Sequence, residues 1–233
     1  MSKKKYELTE DRVEVGGFIL RRIRALKDIS LVDIDGKDIK AGDLGGYIAS
    51  ELNLSHEGTC WVKDDACVYG DAEVYGDALI QGHSKVYGNA SVHSHAIISG
   101  NSEIYGDALI SGRVEVGGSS LVYEKAQLLE DCHIYGDVQI SGKAKISGEV
   151  QVRDNARISG NATLDGIVRI EGSACISDDA NVSTVVINHD LFDDYGDTIQ
   201  LLLKALSSRK DVLTSLKGHN PKLDKLIDYL FNS

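Results

Sequence analysis

From residue 62 to residue 182 an aliphatic side chain returns at every sixth position, through 21 repeats without an insertion or deletion. The series runs Val62, Val68, Val74, Ile80 and onward to Ile170, Ile176 and Val182, and every member is Val, Ile or Leu. Two residues before each stands a small or β-branched side chain, from Cys60, Ala66 and Ala72 to Ala174 and Ala180. Two residues after it, Gly occupies 14 of the 20 positions from 64 to 178, often followed by Asp or Asn, as in Gly70-Asp71 and Gly160-Asn161. A helical period of 3.6 cannot hold such a register, and plain strand alternation has no need of Gly at every sixth place. A short strand followed by a tight corner satisfies both demands. The two apolar positions of each repeat point inward, their neighbours point outward, and Gly, Asp or Asn take the left-handed corner.

Three strands and three corners close a triangular coil of 18 residues, so 21 repeats make seven coils. With strands roughly 4.8 Å apart the prism is expected to stand roughly 33 Å tall. The expected fold is mainly β: a left-handed parallel β-helix, or hexapeptide solenoid. Its left hand, an exception to the usual right-handed crossover, is taken from hexad-repeat proteins and not from the physics of these residues.

Three segments follow: an N-terminal β cap over residues 1–55, the coil over 56–187 and a helical segment over 188–233. In the first, Val13-Glu14-Val15-Gly16-Gly17-Phe18-Ile19-Leu20 reads as a hairpin turning at Gly-Gly. Asp35-Gly36 and Gly45-Gly46 mark further turns, and Arg21, Arg22, Arg24 and Lys27 form a basic rim. Such a unit covers the open edges of the first coil. In the last segment Leu201, Leu202, Ala205 and Leu206 fall at helical spacing, and Asn220-Pro221 starts a helix from 221 to about 231. These helices either plug the last coil or assemble subunits.

The net charge of −11 is concentrated in the coil, where 19 acidic residues face 9 basic ones. An acidic prism repels phosphate backbones, so bulk nucleic-acid binding is not expected. No run approaches the roughly 20 apolar residues of a membrane span, and a cytoplasmic location is the expectation. Cys60 and Cys132 fall on inward positions, Cys67 and Cys175 on outward ones, with neither disulfide register nor metal-ligand spacing.

Ile23-Arg24-Ala25-Leu26, then Lys40-Ala41-Gly42-Asp43-Leu44-Gly45-Gly46-Tyr47, then Asn53-Leu54-Ser55-His56-Glu57-Gly58 and Trp61-Val62, resemble the N-terminal signature of YdcK-like hexapeptide-repeat proteins. The resemblance covers residues 6 to about 182 and leaves the helical tail outside it. It implies the solenoid and a phage or prophage setting, and it carries no catalytic residue over.

Residues 18 apart stack, so the outward columns can be read directly. Tyr69, Tyr87, Tyr105 and Tyr123 form one, continued by Ser141, Ser159 and Ser177. It is either a sheet-stabilising aromatic ladder or a ligand-stacking wall. Trp61, Leu79 and Ile97 form an apolar outward stripe, to be covered by a terminal segment or by another subunit; a homotrimer is the expected assembly. Further along that face His133, Tyr135, Arg153 and Arg169 make a basic and aromatic cluster suited to a small anionic or nucleotide-like ligand. At a corner, His95 and Arg113 share a column with Asp77 below, a possible general base with an orienting carboxylate, although corner histidines are ordinarily just solvated.

Two function classes remain. One is a non-catalytic binding protein that holds or sequesters a small ligand, including a host immune nucleotide in a phage setting, or a protein partner, with no cofactor and no metal. The other is a hexapeptide acyltransferase using acyl-CoA, with His95 as base. Enzymes of that kind typically extrude a loop from the coils, and none interrupts residues 62–182. The expectation is therefore binding.

Overall fold

The structure, a computed structural model, describes residues 4–31 and 38–187. It is a parallel β-solenoid of about eight turns. From Trp61 on, each coil strand pairs with the one 18 residues further along, as in Lys85↔Glu103, Glu103↔Leu121 and Leu121↔Gln139. Three faces result. The first carries strands beginning at Cys67, Lys85, Glu103, Leu121, Gln139, Arg157 and Cys175. The second begins at Trp61, Leu79, Ile97, Glu115 and His133, and the third at Glu73, Ser91, Leu109, Gln127 and Lys145. The strand Thr163–Ile170 turns a corner and joins the second and third faces into one 13-stranded sheet.

The six-residue register governs the interior. Val62, Val68, Ile80, Ile98, Ile110, Ile140 and their companions are fully buried, with the small residues of the other inward column between them. Corner glycines such as Gly70, Gly106 and Gly160 have positive φ, near 70°. At three of the five corners where Asp or Glu stands instead, the carboxylate is used: Asp64, Glu124 and Asp154 each accept the backbone N–H of the glycine one coil above, at 3.0, 2.7 and 2.8 Å. These bonds offset the left-handed conformation that those side chains adopt.

The N-terminal cap begins with a hairpin of β1 (Tyr6–Val15) and β2 (Phe18–Ala25), turning at Gly16 and Gly17 as the sequence predicts. β3 (Leu44–Ile48) follows, antiparallel to β2 and parallel to the coil strand Cys67–Val68. Gly45 and Gly46, expected as a turn, lie inside β3. A Cβ on Gly45 would stand 2.5 Å from the Val62 carbonyl oxygen, and one on Gly46 2.5 Å from that of Ala66. Close approach, not a bend, requires glycine here. Tyr47↔Cys67 and Leu54↔Val74 stack at an offset of 20 residues, so the coil starts before Val62 and the seven expected turns become about eight. The basic rim is largely neutralised, since Arg21, Arg22 and Arg24 meet Glu10, Asp11 and Glu7. All four cysteines are free, and Cys67, although outward, is buried beneath Leu20 and Tyr47 of the cap. The Asp35-Gly36 turn and the C-terminal helices lie outside the described residues. No helix among the described residues is long and apolar enough to cross a membrane.

Candidate functional site

On the second face Glu115, His133, Gln151 and Arg169 stack in one column. The adjoining outward column holds Gly117, Tyr135, Arg153 and Glu171. The Tyr135 ring lies over Gly117, where a Cβ would stand 2.8 Å from the ring carbons. Only glycine leaves room for it. The Tyr135 hydroxyl donates to Glu115 Oε2, and His133 Nδ1 lies 3.4 Å from the same oxygen. Burial, reinforced by Glu115, pushes the Tyr135 phenol well above its ordinary pKa, so it remains a donor at neutral pH.

The cations of this face have unequal fates. Arg169 Nε donates to Glu171 at 2.7 Å, and Arg113 forms a two-pronged bond with Asp131 at 2.5 and 2.6 Å. Arg153, one coil above Tyr135, meets only Gln151 at 3.5 Å and has no carboxylate partner among the described residues. An open depression of about 380 Å³ adjoins them, lined by Arg113, Glu115, Asp131, His133, Glu149 and Gln151. Its lining carries three carboxylates to one guanidinium. The structure therefore brings His133, Tyr135 and Arg153 together, ties Arg169 to its own coil, and adds an acidic floor that the basic and aromatic residues alone did not suggest.

The four tyrosines of the first face form a ladder with centroids 5.0, 4.9 and 5.0 Å apart and planes within 2°, 4° and 5° of parallel. Tyr69 is buried under the cap, with Phe18 at 5.5 Å, and is closed to any ligand. Tyr87 donates to Glu103 at 3.0 Å, while Lys85 holds the other oxygen of that carboxylate at 2.9 Å. Tyr69 and Tyr87 are thus engaged within the fold, Tyr105 is sandwiched between two rings, and Tyr123 ends the series.

The corner constellation is only partly assembled. His95 Nδ1 lies 3.6 Å from Asp77 Oδ2, but the other Asp77 oxygen takes the Thr59 hydroxyl at 2.8 Å and its N–H at 3.1 Å. Those two bonds hold the Asp77 carboxyl below its ordinary range. Arg113 turns away from His95 to Asp131, so the three do not form a relay. His93 instead stacks on Tyr75 at 4.6 Å, with its Nδ1 3.1 Å from Ser94 Oγ and 3.2 Å from Ser111 Oγ. The sequence signal for that cluster was Ser94, a serine at a corner where glycine is the rule, at φ 63°.

The apolar stripe is not an open surface. Trp61 and Leu79 are buried at 0% and 2% exposure, and only Ile97 is partly exposed. Tyr6 covers the indole edge-on at 6.4 Å, stacks on His56 at 4.3 Å and donates to the Leu54 carbonyl at 2.7 Å. Beside it the ammonium of fully buried Lys5 donates to the Cys60 carbonyl at 2.7 Å and reaches Cys60 Sγ at 3.1 Å. Trp61 and Leu79 share one column in register, and the chain's own N-terminal segment covers Trp61, which removes the stripe as an argument for a trimer.

Burial raises the phenols of Tyr6, Tyr69, Tyr87, Tyr105 and Tyr135, and the thiols of Cys60 and Cys67; it pushes Cys132 up to about 12. In the unfolded chain these groups ionise at about 8.5 for Cys and about 10 for Tyr. The folded chain keeps their protons longer, so the stability they confer is complete below about pH 8.5 and is lost as the pH rises further. Lys5, whose pKa burial lowers, acts in the opposite sense. It is one group against many. The melting temperature is expected to fall between about pH 9 and 11, with the phenolate absorbance of these buried tyrosines appearing only as the chain unfolds. A melting temperature that climbs across that window would contradict the burial of these groups.

Comparison of the sequence with protein-family models gives no match, and comparison with curated proteins gives no significant one.

Proposed function

We propose that the chain is a non-catalytic binding protein whose rigid coil holds a small anionic ligand. The observation that carries this reading is the Tyr135–Arg153 step. An aromatic ring is seated on Gly117 and tethered through its hydroxyl to Glu115, with an arginine one coil above that lacks a carboxylate partner among the described residues. A ring already fixed in place loses little rotamer freedom when a ligand stacks on it. The guanidinium offers a planar fork for carboxylate or phosphate, and His133 adds a third polar group. The acidic depression alongside repels an anion, which restricts docking to the Arg153 side.

The alternative, acyl transfer from acyl-CoA with His95 as base, draws on one contact, the Asp77–His95 pair at 3.6 Å. Calorimetry of the full chain with a panel of nucleotides and acyl-CoA thioesters separates the two. Arg153→Ala is expected to weaken binding of an anionic ligand by about 1.5–3 kcal/mol, the range for hydrogen bonds to charged groups, while His95→Ala leaves it unchanged. Steady thiol release from a CoA thioester, abolished by His95→Ala, would overturn the binding reading.

A further inference from the structure

The tyrosine ladder has one closed end and one open end. Below Tyr69 the hairpin seals it, with Phe18 against the ring and Gly16 close by. Above Tyr123 the same column continues as Ser141, Ser159 and Ser177, in the register Leu121↔Gln139↔Arg157↔Cys175. The face of Tyr123 turned away from Tyr105 therefore looks onto a serine, too small to cover an aromatic ring. The hydroxyls of Ser141 and Ser159 make no hydrogen bond among the described residues. One coil rise is roughly 4.8 Å, close to the ring spacing inside the ladder, so a planar ring laid over Ser141 becomes the next rung.

Positive charge gathers around this step. Lys125 and Lys143 stand one above the other in the corner column, two residues beyond Tyr123 and Ser141. Arg157 lies on the opposite side, two residues before Ser159, and Lys145 begins the strand of the third face just past the corner. All four are exposed, and none makes an ion pair among the described residues. Elsewhere on the coil Lys85, Arg113 and Arg169 are matched to Glu103, Asp131 and Glu171. The carboxylates nearest in register are already engaged: Glu124 accepts Gly142 N–H at 2.7 Å, and Asp107, one coil below Lys125, accepts Asn89 Nδ2 at 2.9 Å. Like charges stacked on neighbouring strands raise the energy of the empty protein, and a bound polyanion relieves it.

We propose that the open end of the ladder binds a planar aromatic ring carrying phosphates, the chemistry of a nucleoside diphosphate. The ring stacks on Tyr123 above Ser141, and the phosphates lie between Lys125 and Lys143 on the corner side and Arg157 on the strand side. The inference rests on the reading of the chain as a binding protein, but it shares no residue with the Tyr135–Arg153 step.

Calorimetry of the full chain with ADP, adenosine and pyrophosphate tests it. ADP is expected to bind at least about tenfold more tightly than either half, because stacking and charge pairing act together. Ser141→Tyr fills the seat with a fifth rung and is expected to abolish ADP binding while the melting temperature stays level or rises. Tyr123→Ser, which ends the ladder one coil lower, and Lys143→Ala each weaken ADP by about tenfold or more. Arg153→Ala leaves ADP binding intact. The inference falls if ADP gives no heat at millimolar concentration, or if Ser141→Tyr binds it like the parent. Pyrophosphate binding as tightly as ADP would reduce the site to a cation patch and also overturn it. ADP binding lost in Arg153→Ala but kept in Ser141→Tyr would move the ligand to the second face, sinking this site and sustaining the other. Loss in Ser141→Tyr alone, with no ligand in the wider panel affected by Arg153→Ala, would do the reverse.

Discussion

Trp61→Ala is expected to lower the unfolding free energy by about 3–5 kcal/mol, the cost of removing a large aromatic from a packed interior. Trp61 heads the fully buried side chains by size and sits where the cap meets the coil, under Tyr6. Truncation removes its own burial and also strips Tyr6 of the surface on which it rests. The indole N–H has no hydrogen-bond partner among the described residues, which offsets part of the burial gain but does not reverse it. Urea unfolding followed by circular dichroism should show a lower midpoint with an unchanged slope. Because this is the single tryptophan, fluorescence of the parent protein reports the same junction: its emission should resist a soluble quencher. A loss below about 1 kcal/mol, together with free quenching, would mean that the cap does not cover the stripe, and self-association through it would return as the explanation.

Ile140→Ala is expected to cost about 2–5 kcal/mol, since the methyl groups leave a void that the surrounding coils cannot close. Ile140 is fully buried between Val122 and Ile158 of the neighbouring coils. Lys143→Ala, three residues along at an exposed corner, should stay within about 0.5 kcal/mol. The contrast tests the register and not merely hydrophobicity, because both changes fall within the same six-residue repeat. Equal melting shifts in the two variants would defeat it. The near-neutral Lys143 result also leaves that variant usable for the ADP titration, where any change must come from the ligand.

How far the sequence could be read follows from what a column of residues does and does not specify. An aliphatic at every sixth position dictates which side chains turn inward, and Val62 through Val182 are where that register puts them. It dictates equally that Trp61 turns outward, but not what lies across from it. The cover comes from Lys5 and Tyr6, which belong to no repeat, and a buried lysine bonded to carbonyls has no signature in spacing. Gly45-Gly46 carried the composition of a turn because glycine serves bends and close approaches alike; only the distances to Val62 and Ala66 separate the two. Arg113 shares a column with His95, yet each member of a column has a neighbour on both sides, and Asp131 offers the arginine a two-pronged partner. Tyr135 and Arg153 were legible as neighbours, whereas the seat on Gly117 and the tether to Glu115 required coordinates.

The pairing of residues 18 apart gives this molecule two different tolerances to changes of length. Losing one whole turn shortens every column by a rung and leaves each face in phase. Losing six residues also keeps every aliphatic inside, so the interior is indifferent to it. But everything above the deletion is then rotated by one face relative to what lies below: a loss between Tyr123 and Ser141 takes the serine off the tyrosine column, and one between Tyr135 and Arg153 separates those two. Inheritance acting on such a chain can slip by sixes without unfolding it, while only slips of 18 preserve the order of its outward columns.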